Sequence, residues 1–226
     1  MVFVRRYDAS NEGFSINERE VWRYAGYQNP NIVVDEKLVQ LFEEVKEELR
    51  DAFQYQVCYL KTPISWENGM PTLPFSSESK NLAQCLKNSS QVVVFAATIG
   101  LEIDKKIARY QHLSKVKALL MQAYGAERIE CLCDVFCKEI EEEVRKEGLT
   151  CTARFSPGYG DLPLETQREV FALLQPERRV GISLGESLLM RPSKSVTAIF
   201  GIGRCVGPQA KQGCSQCEKA DCEFRE

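Results

Sequence analysis

The stretch Asn88–Gly100, NSSQVVVFAATIG, and the segment that follows it decide the predicted fold. Its uninterrupted apolar run, Val92–Ala97, is typical of a buried strand, and the glycine at the end of the stretch closes it. From about Leu101 to Lys146, apolar residues recur every three or four positions, which predicts a long helix interrupted near His112–Leu113 and weakened at Gly125. Strands separated by such long helical segments lack the regular rhythm of a doubly wound sheet, so the sequence predicts an α+β fold.

Weaker patterns predict the remaining elements on both sides of this stretch. Further strands are predicted at 55–61, 150–155, 180–184 and 195–202. Helices are predicted at 18–28, at 35–53 with Asp35 as N-cap, and at 163–174 with a proline in the first turn. The intervening segment 62–81 contains three prolines and is predicted to be a loop.

Length and composition restrict the function. The chain has 226 residues, of which 44% are hydrophobic and 27% charged, as in an ordinary globular protein with one large domain and an appended piece. The net charge is −3 and the basic residues are interspersed with acidic ones, so we expect no nucleic-acid partner. The apolar runs are too short to span a membrane, and Met1–Ser10 lacks the apolar stretch of a signal peptide. We therefore expect a cytoplasmic protein with no membrane partner.

The chain contains a single histidine, His112, which excludes zinc catalysis by two histidines. This residue belongs to the polar helical stretch RYQHLSK, and we expect it to lie on the surface.

The segment Arg154–Pro163, RFSPGYGDLP, is the strongest local candidate for a binding site. The guanidinium of Arg154 matches a carboxylate or a phosphate. Pro157 and Gly158 begin a stiff turn in which the backbone can approach a ligand, and Tyr159 offers a flat ring with a polar tip. These groups suit a small zwitterion that carries an aromatic base. The alternative is a tight turn between a strand and a helix, with a surface arginine.

Four of the ten cysteines are concentrated in the C-terminal tail, which contains few large apolar residues. Their arrangement is Cys205-x8-Cys214-x2-Cys217-x4-Cys222, and four thiolates around a C-x2-C pair suggest a metal that replaces a hydrophobic core. Zinc and an iron–sulfur cluster both accept four cysteines, and the spacing does not separate them. The alternative is a tail of unrelated thiols.

A second group of cysteines, Cys131, Cys133 and Cys137, lies on or near the apolar stripe of the long helix. We expect these residues to be small members of the core.

Arg154–Leu174, RFSPGYGDLPLETQREVFALL, resembles the RPxxGYPxxPxHT segment of the activation domain of cobalamin-dependent methionine synthase. Two further stretches agree with this family in the same order, VVVFAATIGLEID and GISLGESLLMRPSKSVTAIFGI. The similarity covers Gln91–Ile202, and the chain resembles the stand-alone form of the domain, which serves a synthase that lacks its own.

The resemblance implies a C-shaped α+β domain, with a central twisted antiparallel sheet flanked by helices and followed by the Cys-rich tail. Residues 1–90 form an N-terminal helical part of this domain, residues 91–202 its core, and residues 203–226 the tail. The resemblance also implies that the protein binds S-adenosylmethionine and supports the reductive methylation of cob(II)alamin on the synthase. The chain lacks a D-x-H-x-x-G corrinoid-ligand motif, so cobalamin arrives on the corrinoid-binding domain of that partner. The expected electron donor is a flavodoxin- or ferredoxin-like protein.

Carried over to this sequence, the family's cofactor-gripping arginine is Arg154, and its Gly-Tyr pair is Gly158 and Tyr159. Glu186 and Ser187 match the Glu-Ser of another family segment, for which we expect a supporting role in cofactor binding. The sequence departs from the family at Gly160, where the family has proline, and at Glu165, where it has histidine. The family's tyrosine pair after the last strand has no counterpart here, and its N-terminal acidic ligand cannot be placed.

Two alternatives to a reactivation factor stay open. The first is a docking module for corrinoid proteins that does not use S-adenosylmethionine, and the second is a redox protein that uses a metal cluster in the tail. A relay of electrons through an iron–sulfur cluster would link the tail to reactivation, whereas structural zinc would not. Whether the protein is itself an enzyme is left open by the sequence.

Overall fold

A computed structural model gives the structure of the protein and describes residues 1–8, 13–27 and 34–204. The strands are β1 (Val2–Tyr7), β2 (Tyr55–Pro63), β3 (Trp66–Glu67), β4 (Met70–Pro71), β5 (Ser89–Thr98), β6 (Leu149–Cys151), β7 (Ser183–Leu184), β8 (Met190–Arg191) and β9 (Ser195–Arg204). The helices are α1 (Glu18–Tyr24), α2 (Glu36–Leu49), α3 (Lys80–Cys85), α4 (Glu102–Leu113), α5 (Lys115–Arg145), α6 (Thr166–Leu174) and α7 (Pro176–Val180).

The main sheet of the described chain has five strands in the order β1-β2-β5-β9-β6, and each neighbouring pair is antiparallel. The strand predicted to be buried, β5, lies at the centre, where Val94 is paired with Leu60 of β2 and with Ile199 of β9. The predicted α+β class, with an antiparallel sheet flanked by helices, is confirmed. Residues 1–90 contribute β1 and β2 to the same sheet as the rest of the chain.

Both faces of the sheet are covered, which explains why β5 reads as a continuous apolar run. Val93, Phe95 and Ala97 face the larger core, which includes residues of α1, α2 and α5. Val92, Val94 and Ala96 face a second core, which includes residues of α3 and α6. The centre of the larger core is aromatic, since the ring centroids of Phe95 and of Phe136 on α5 lie 5.0 Å apart.

The predicted interruption of the long helix is confirmed, because α4 ends at Leu113 and Ser114 caps the start of α5. At Gly125, where the sequence predicts a weakening, α5 continues without a break. A Cβ at Gly125 would lie 2.5 Å from Ile103 Cδ1, so the side chain of Ile103 on α4 packs directly on the backbone of α5 at this glycine. His112 is exposed, as predicted.

The strand predicted at 180–184 is wrong over its first part. Residues 176–180 form α7, and only Ser183 and Leu184 are in a strand. Left-handed residues bound the helix on both sides, with φ of 49° at Gln175 and 71° at Gly181. Val180 and Ile182 are both buried in the second core, and their alternation explains the strand-like pattern at the point where the helix ends.

None of the helices in the described ranges combines the length and the apolar composition needed to cross a membrane.

Candidate functional site

The segment after β6 stays attached to the sheet before it turns away. The backbone N–H of Thr152 donates to the carbonyl of Gly201 (2.9 Å), and Phe155 exchanges two 2.8 Å hydrogen bonds with Ile199 of β9. Phe155 packs into the core on the α6 side of the sheet. Arg154, its neighbour in this extended segment, reaches α5 on the opposite side.

Arg154 is held by two carboxylates on successive turns of α5. Its Nη2 donates to Glu130 Oε2 (3.0 Å) and to Asp134 Oδ1 (2.9 Å). Its Nη1 is buried and has no hydrogen-bond partner in the described chain. Burial lowers the pKa of Arg154, but Cys133 and the two carboxylates raise it more, so the guanidinium is always charged. The structure thus places one cation beside two anions, with one buried N–H group unused.

The cysteines near this arginine are neutral thiols. Burial raises the pKa of Cys137 to about 12 and that of Cys133 well above its ordinary value, although the charge of Arg154 opposes both shifts. Cys133 is fully buried and Cys131 is partly buried against the same core. The predicted role of these residues as small core members is confirmed. Within residues 1–8, 13–27 and 34–204, no group of three potential ligands is arranged to hold a metal ion.

The residues after Phe155 form a tight turn, as predicted. The N–H of Gly158 donates to the carbonyl of Leu162 (2.9 Å), and the N–H of Leu162 donates to the carbonyl of Tyr159 (3.0 Å). Gly158 has a φ of 93° and Gly160 a φ of 54°, which are conformations that favour glycine. Pro157 is buried beneath the turn, whereas the side chain of Tyr159 is 68% exposed.

Asp161 fastens this turn to the N-terminus of α3. Its carboxylate accepts hydrogen bonds from the hydroxyl of Ser79 and from the backbone N–H groups of Lys80 (2.8 Å) and Asn81 (3.2 Å). Desolvation acts to raise the pKa of Asp161, but these hydrogen bonds outweigh it and hold the pKa below its ordinary value. Asp161 was not identified as a site residue from the sequence, since Ser79 is 82 positions away.

Glu186 and Ser187 lie in the exposed loop of the β7–β8 hairpin. The N–H of Gly185 donates to the carbonyl of Leu189 (2.9 Å) and closes this loop. The hairpin is linked to the region after the turn by Arg168 of α6, whose Nη2 donates to the carbonyl of Glu186 (3.4 Å). Among the described residues, no hydrogen bond joins Glu186 or Ser187 to Arg154.

The tail residues predicted as metal ligands, Cys205, Cys214, Cys217 and Cys222, lie outside the described residues.

Glu130 and Asp134 are the functional candidates that sequence reasoning missed. Their spacing of four places both on one side of α5, which is a detectable signal. Nothing in the sequence, however, shows that this side faces Arg154, because the contact depends on how β6 and its extension cross the helix.

Similarities to known proteins bear on this region. The model of the family "Vitamin B12 dependent methionine synthase, activation domain" matches residues 76–205, which are more than half of the chain and include the turn and the β7–β8 hairpin. The chain is 33% identical over 101 residues to the methionine synthase of Mycobacterium tuberculosis (strain ATCC 25618 / H37Rv). The matched part is 44% of this chain and 8% of that protein, so the chain spans only a small part of this relative.

A solved structure has the same fold. The crystal structure of the MetH reactivation domain bound to AdoHcy superimposes with a TM-score of 0.68 and covers 93% of this chain and 81% of its own. At 16% sequence identity this likeness shows the fold alone.

Proposed function

Because the chain belongs to the family of vitamin B12-dependent methionine synthase activation domains, we propose that it binds S-adenosylmethionine and supports the return of cob(II)alamin to methylcobalamin on a separate methionine synthase. In this reductive methylation, S-adenosylmethionine supplies the methyl group and a flavodoxin- or ferredoxin-like protein supplies the electron. The corrinoid-binding domain of the synthase is the docking partner, and the reaction takes place in the cytoplasm. The MetH reactivation domain of the same fold is bound to AdoHcy, which supports a site for a related ligand here.

The observation that carries this proposal is the charge arrangement around Arg154. Its unused Nη1 is a buried donor, and such groups are nearly always paired in folded proteins. A rotation of the guanidinium would bring this donor to the carboxylate of an amino-acid ligand, and the exposed carboxylates of Glu130 and Asp134 would attract the ligand's ammonium group. Two negative side chains and one positive one also favour a ligand with a net positive charge, and S-adenosylmethionine is such a ligand.

The turn supplies the remaining contacts in this proposal. Tyr159 presents an exposed ring on which an adenine can stack, and Pro157 and Gly158 fix the backbone beneath that ring. Glu186 and Ser187 support the site from the neighbouring hairpin.

In this proposal, these residues bind S-adenosylmethionine and orient its methyl group. Methyl transfer from a sulfonium to reduced cobalt requires no general base, so the surface position of the single histidine is no obstacle. Holding the reacting groups in the right geometry can itself supply about 7–11 kcal/mol of a barrier.

Calorimetric titration of S-adenosylmethionine into the wild type and Arg154→Ala tests the proposal. We expect the alanine variant to bind about ten- to a hundredfold more weakly, because a hydrogen bond to a charged group is worth about 1.5–3 kcal/mol. Arg154→Lys should recover only part of the loss, since lysine lacks the planar fork. The matched control is Arg178→Ala, an exposed arginine on α7 that should leave binding unchanged. Full affinity in Arg154→Ala would contradict the assigned role.

A corrinoid docking module that does not use S-adenosylmethionine is the second candidate function. It is favoured by the existing ion pairs of Arg154, which on this reading only attach the segment to α5. It predicts that the wild type binds methionine synthase but not S-adenosylmethionine, with or without the corrinoid partner. It also predicts that Arg154→Ala does not change synthase binding.

We also propose that Cys205, Cys214, Cys217 and Cys222 hold a metal centre, for which zinc and an iron–sulfur cluster are the two candidates. Four thiolates are a complete ligand set for either one. An iron–sulfur cluster would serve as an electron relay in reactivation, or define a redox protein with its own substrate if no corrinoid partner exists.

A further inference from the structure

A cleft lies between the β3–β4 hairpin and α3, apart from the group around Arg154. It has a volume of ≈ 470 Å³ and is lined on one side by Trp66 and on the other by Lys80, Gln84 and Lys87. Ser89, at the start of β5, also lines it. Clefts of this size accommodate small organic molecules.

The cleft is positively charged. Lys80 and Lys87 both line it, and no carboxylate does. Neither ammonium group takes part in an ion pair within the described ranges. Most of the lysines and arginines that do pair with carboxylates lie on the far face of the sheet, around α2 and α5. In a protein with a net charge of −3, two unpaired lysines facing one cleft create a local attraction for an anion.

Trp66 gives the cleft a fixed aromatic wall. The hairpin that carries it turns through Asn68 and Gly69, which both have positive φ values. The indole Nε1–H donates to the carbonyl of Ser89 (3.0 Å), which holds the ring against the end of the central strand. The side chain is nevertheless 37% exposed, so part of the ring remains available for stacking.

Ser89 bounds the cleft beside this wall. The residue is only 4% exposed, and its hydroxyl has no hydrogen-bond partner in the described part of the chain. The hydroxyl lies against Gly201 of β9, where a Cβ would collide with it, so Ser89 closes the cleft at the sheet and offers no polar atom to a ligand.

We propose that this cleft binds a small phosphorylated compound with a flat ring, of which a purine nucleotide is an example. The ring stacks on Trp66, and the phosphate lies between Lys80 and Lys87. The cleft is distinct from the group around Arg154, where two carboxylates and one guanidinium favour a cation instead. The inference goes beyond the proposed function and is independent of it.

Calorimetric titration of adenosine 5′-monophosphate into the full chain at low salt tests the inference. We expect saturable binding that Lys87→Gln and Lys80→Gln each weaken about three- to fivefold, the effect of one partly exposed charge pair. Both lysines are exposed, so these variants should fold normally. The matched control is Lys146→Gln, an exposed lysine after α5, which should bind like the wild type.

Titrations with two further ligands distinguish the contribution of the ring to binding from that of the phosphate. Trp66→Leu should weaken the binding of adenosine 5′-monophosphate but not that of inorganic phosphate, with circular dichroism as the check on folding. S-adenosylmethionine should not displace the nucleotide. The inference is overturned if the wild type shows no saturable binding, if Lys146→Gln weakens binding as much as Lys87→Gln, or if S-adenosylmethionine competes.

Discussion

Hydrogen bonds to Asp161 fix the turn that follows Phe155, next to Gly160, where the related family has a proline. Proline fixes φ near −65°, whereas Gly160 has a φ of 54°, so the backbone at this position cannot follow the path of a proline-containing turn. A Cβ at Gly160 would also lie 3.2 Å from the side chain of Asn81. The flexible glycine brings the turn against α3, and the carboxylate of the next residue then holds it there through Ser79, Lys80 and Asn81.

Replacing Asp161 by asparagine should therefore destabilise the protein at neutral pH. We expect a loss of about 0.5–1.5 kcal/mol in the free energy of unfolding, a modest value because the carboxylate is exposed and solvent screens it. Urea titrations at several pH values provide the measurement, with Asp51→Asn, at an exposed aspartate after α2, as control.

The pH dependence gives the same prediction a second readout. The folded-state pKa of Asp161 lies below its ordinary value, so its contribution is present above the ordinary carboxyl pKa and lost as the pH falls through the folded-state value. The stability difference between wild type and Asp161→Asn should shrink as the pH is lowered through this range. A difference that is unchanged at low pH would show that the charge of Asp161 is not what holds the turn.

Helix α5 binds several separate parts of the chain through its charged side chains. Near its middle, Glu130 and Asp134 hold Arg154, and closer to its end Glu139 accepts a 2.7 Å hydrogen bond from Arg5 of β1. One turn before Glu130, the buried pair Glu127 and Arg128 holds the segment that precedes α1. Helix α5 therefore positions Arg154, the charged centre of the proposed binding site.

The buried pair satisfies the backbone of that segment. Arg128 donates to the carbonyls of Phe14 (2.7 Å) and Ser15 (2.9 Å), and Glu127 accepts from the N–H of Asn17 (3.0 Å). Arg128 is 2% exposed and Glu127 4% exposed. Burial lowers the pKa of Arg128, but the hydrogen bonds and charge of Glu127 raise it more, so the guanidinium stays charged inside the protein.

Arg128→Met should reduce the free energy of unfolding by about 3–5 kcal/mol, because it leaves the Glu127 carboxylate buried without its partner. The double variant Glu127→Gln/Arg128→Met should lose less than the single variant, since the unpaired charge is gone. Denaturant unfolding measures both, with Arg145→Met, at an exposed arginine of α5, as control. Equal losses in the single and double variants would mean that packing, rather than the unpaired charge, sets the cost.

Across the molecule, local patterns predicted most of the larger elements but not the edge strand β1, the β3–β4 hairpin in the segment predicted to be a loop, or the contacts between elements. The apolar run in β5 and the periodicity of α4 and α5 were sufficient because each reports burial directly. The strand predicted at 180–184 forms only at Ser183 and Leu184, because Val180 ends α7 and its burial, like that of Ile182, gives a strand-like apolar pattern. The pairing of Arg154 with α5 depends on tertiary packing, and so does the attachment of Asp161 to α3, so composition and spacing contain no direct signal for either.

The C-terminal tail begins where the last strand of the main sheet ends. β9 ends at Arg204, which is paired with Leu149 on the edge strand β6, and Cys205 follows directly. Because the tail has few large apolar residues, the metal centre proposed for its four cysteines would take the place of a hydrophobic core. Anaerobically purified protein should contain either zinc or iron, and replacing Cys214 and Cys217 by serine should remove it.

Cys131→Ser is the control for this loss, since burial raises the pKa of the Cys131 thiol and disfavours metal binding there. Metal analysis and visible absorption together distinguish the two metal centres. Iron with the absorption of an iron–sulfur cluster would support an electron relay, because reactivation consumes an electron. Zinc without iron would exclude the relay and leave the tail a structural role, and a preparation free of both metals would contradict the metal site itself.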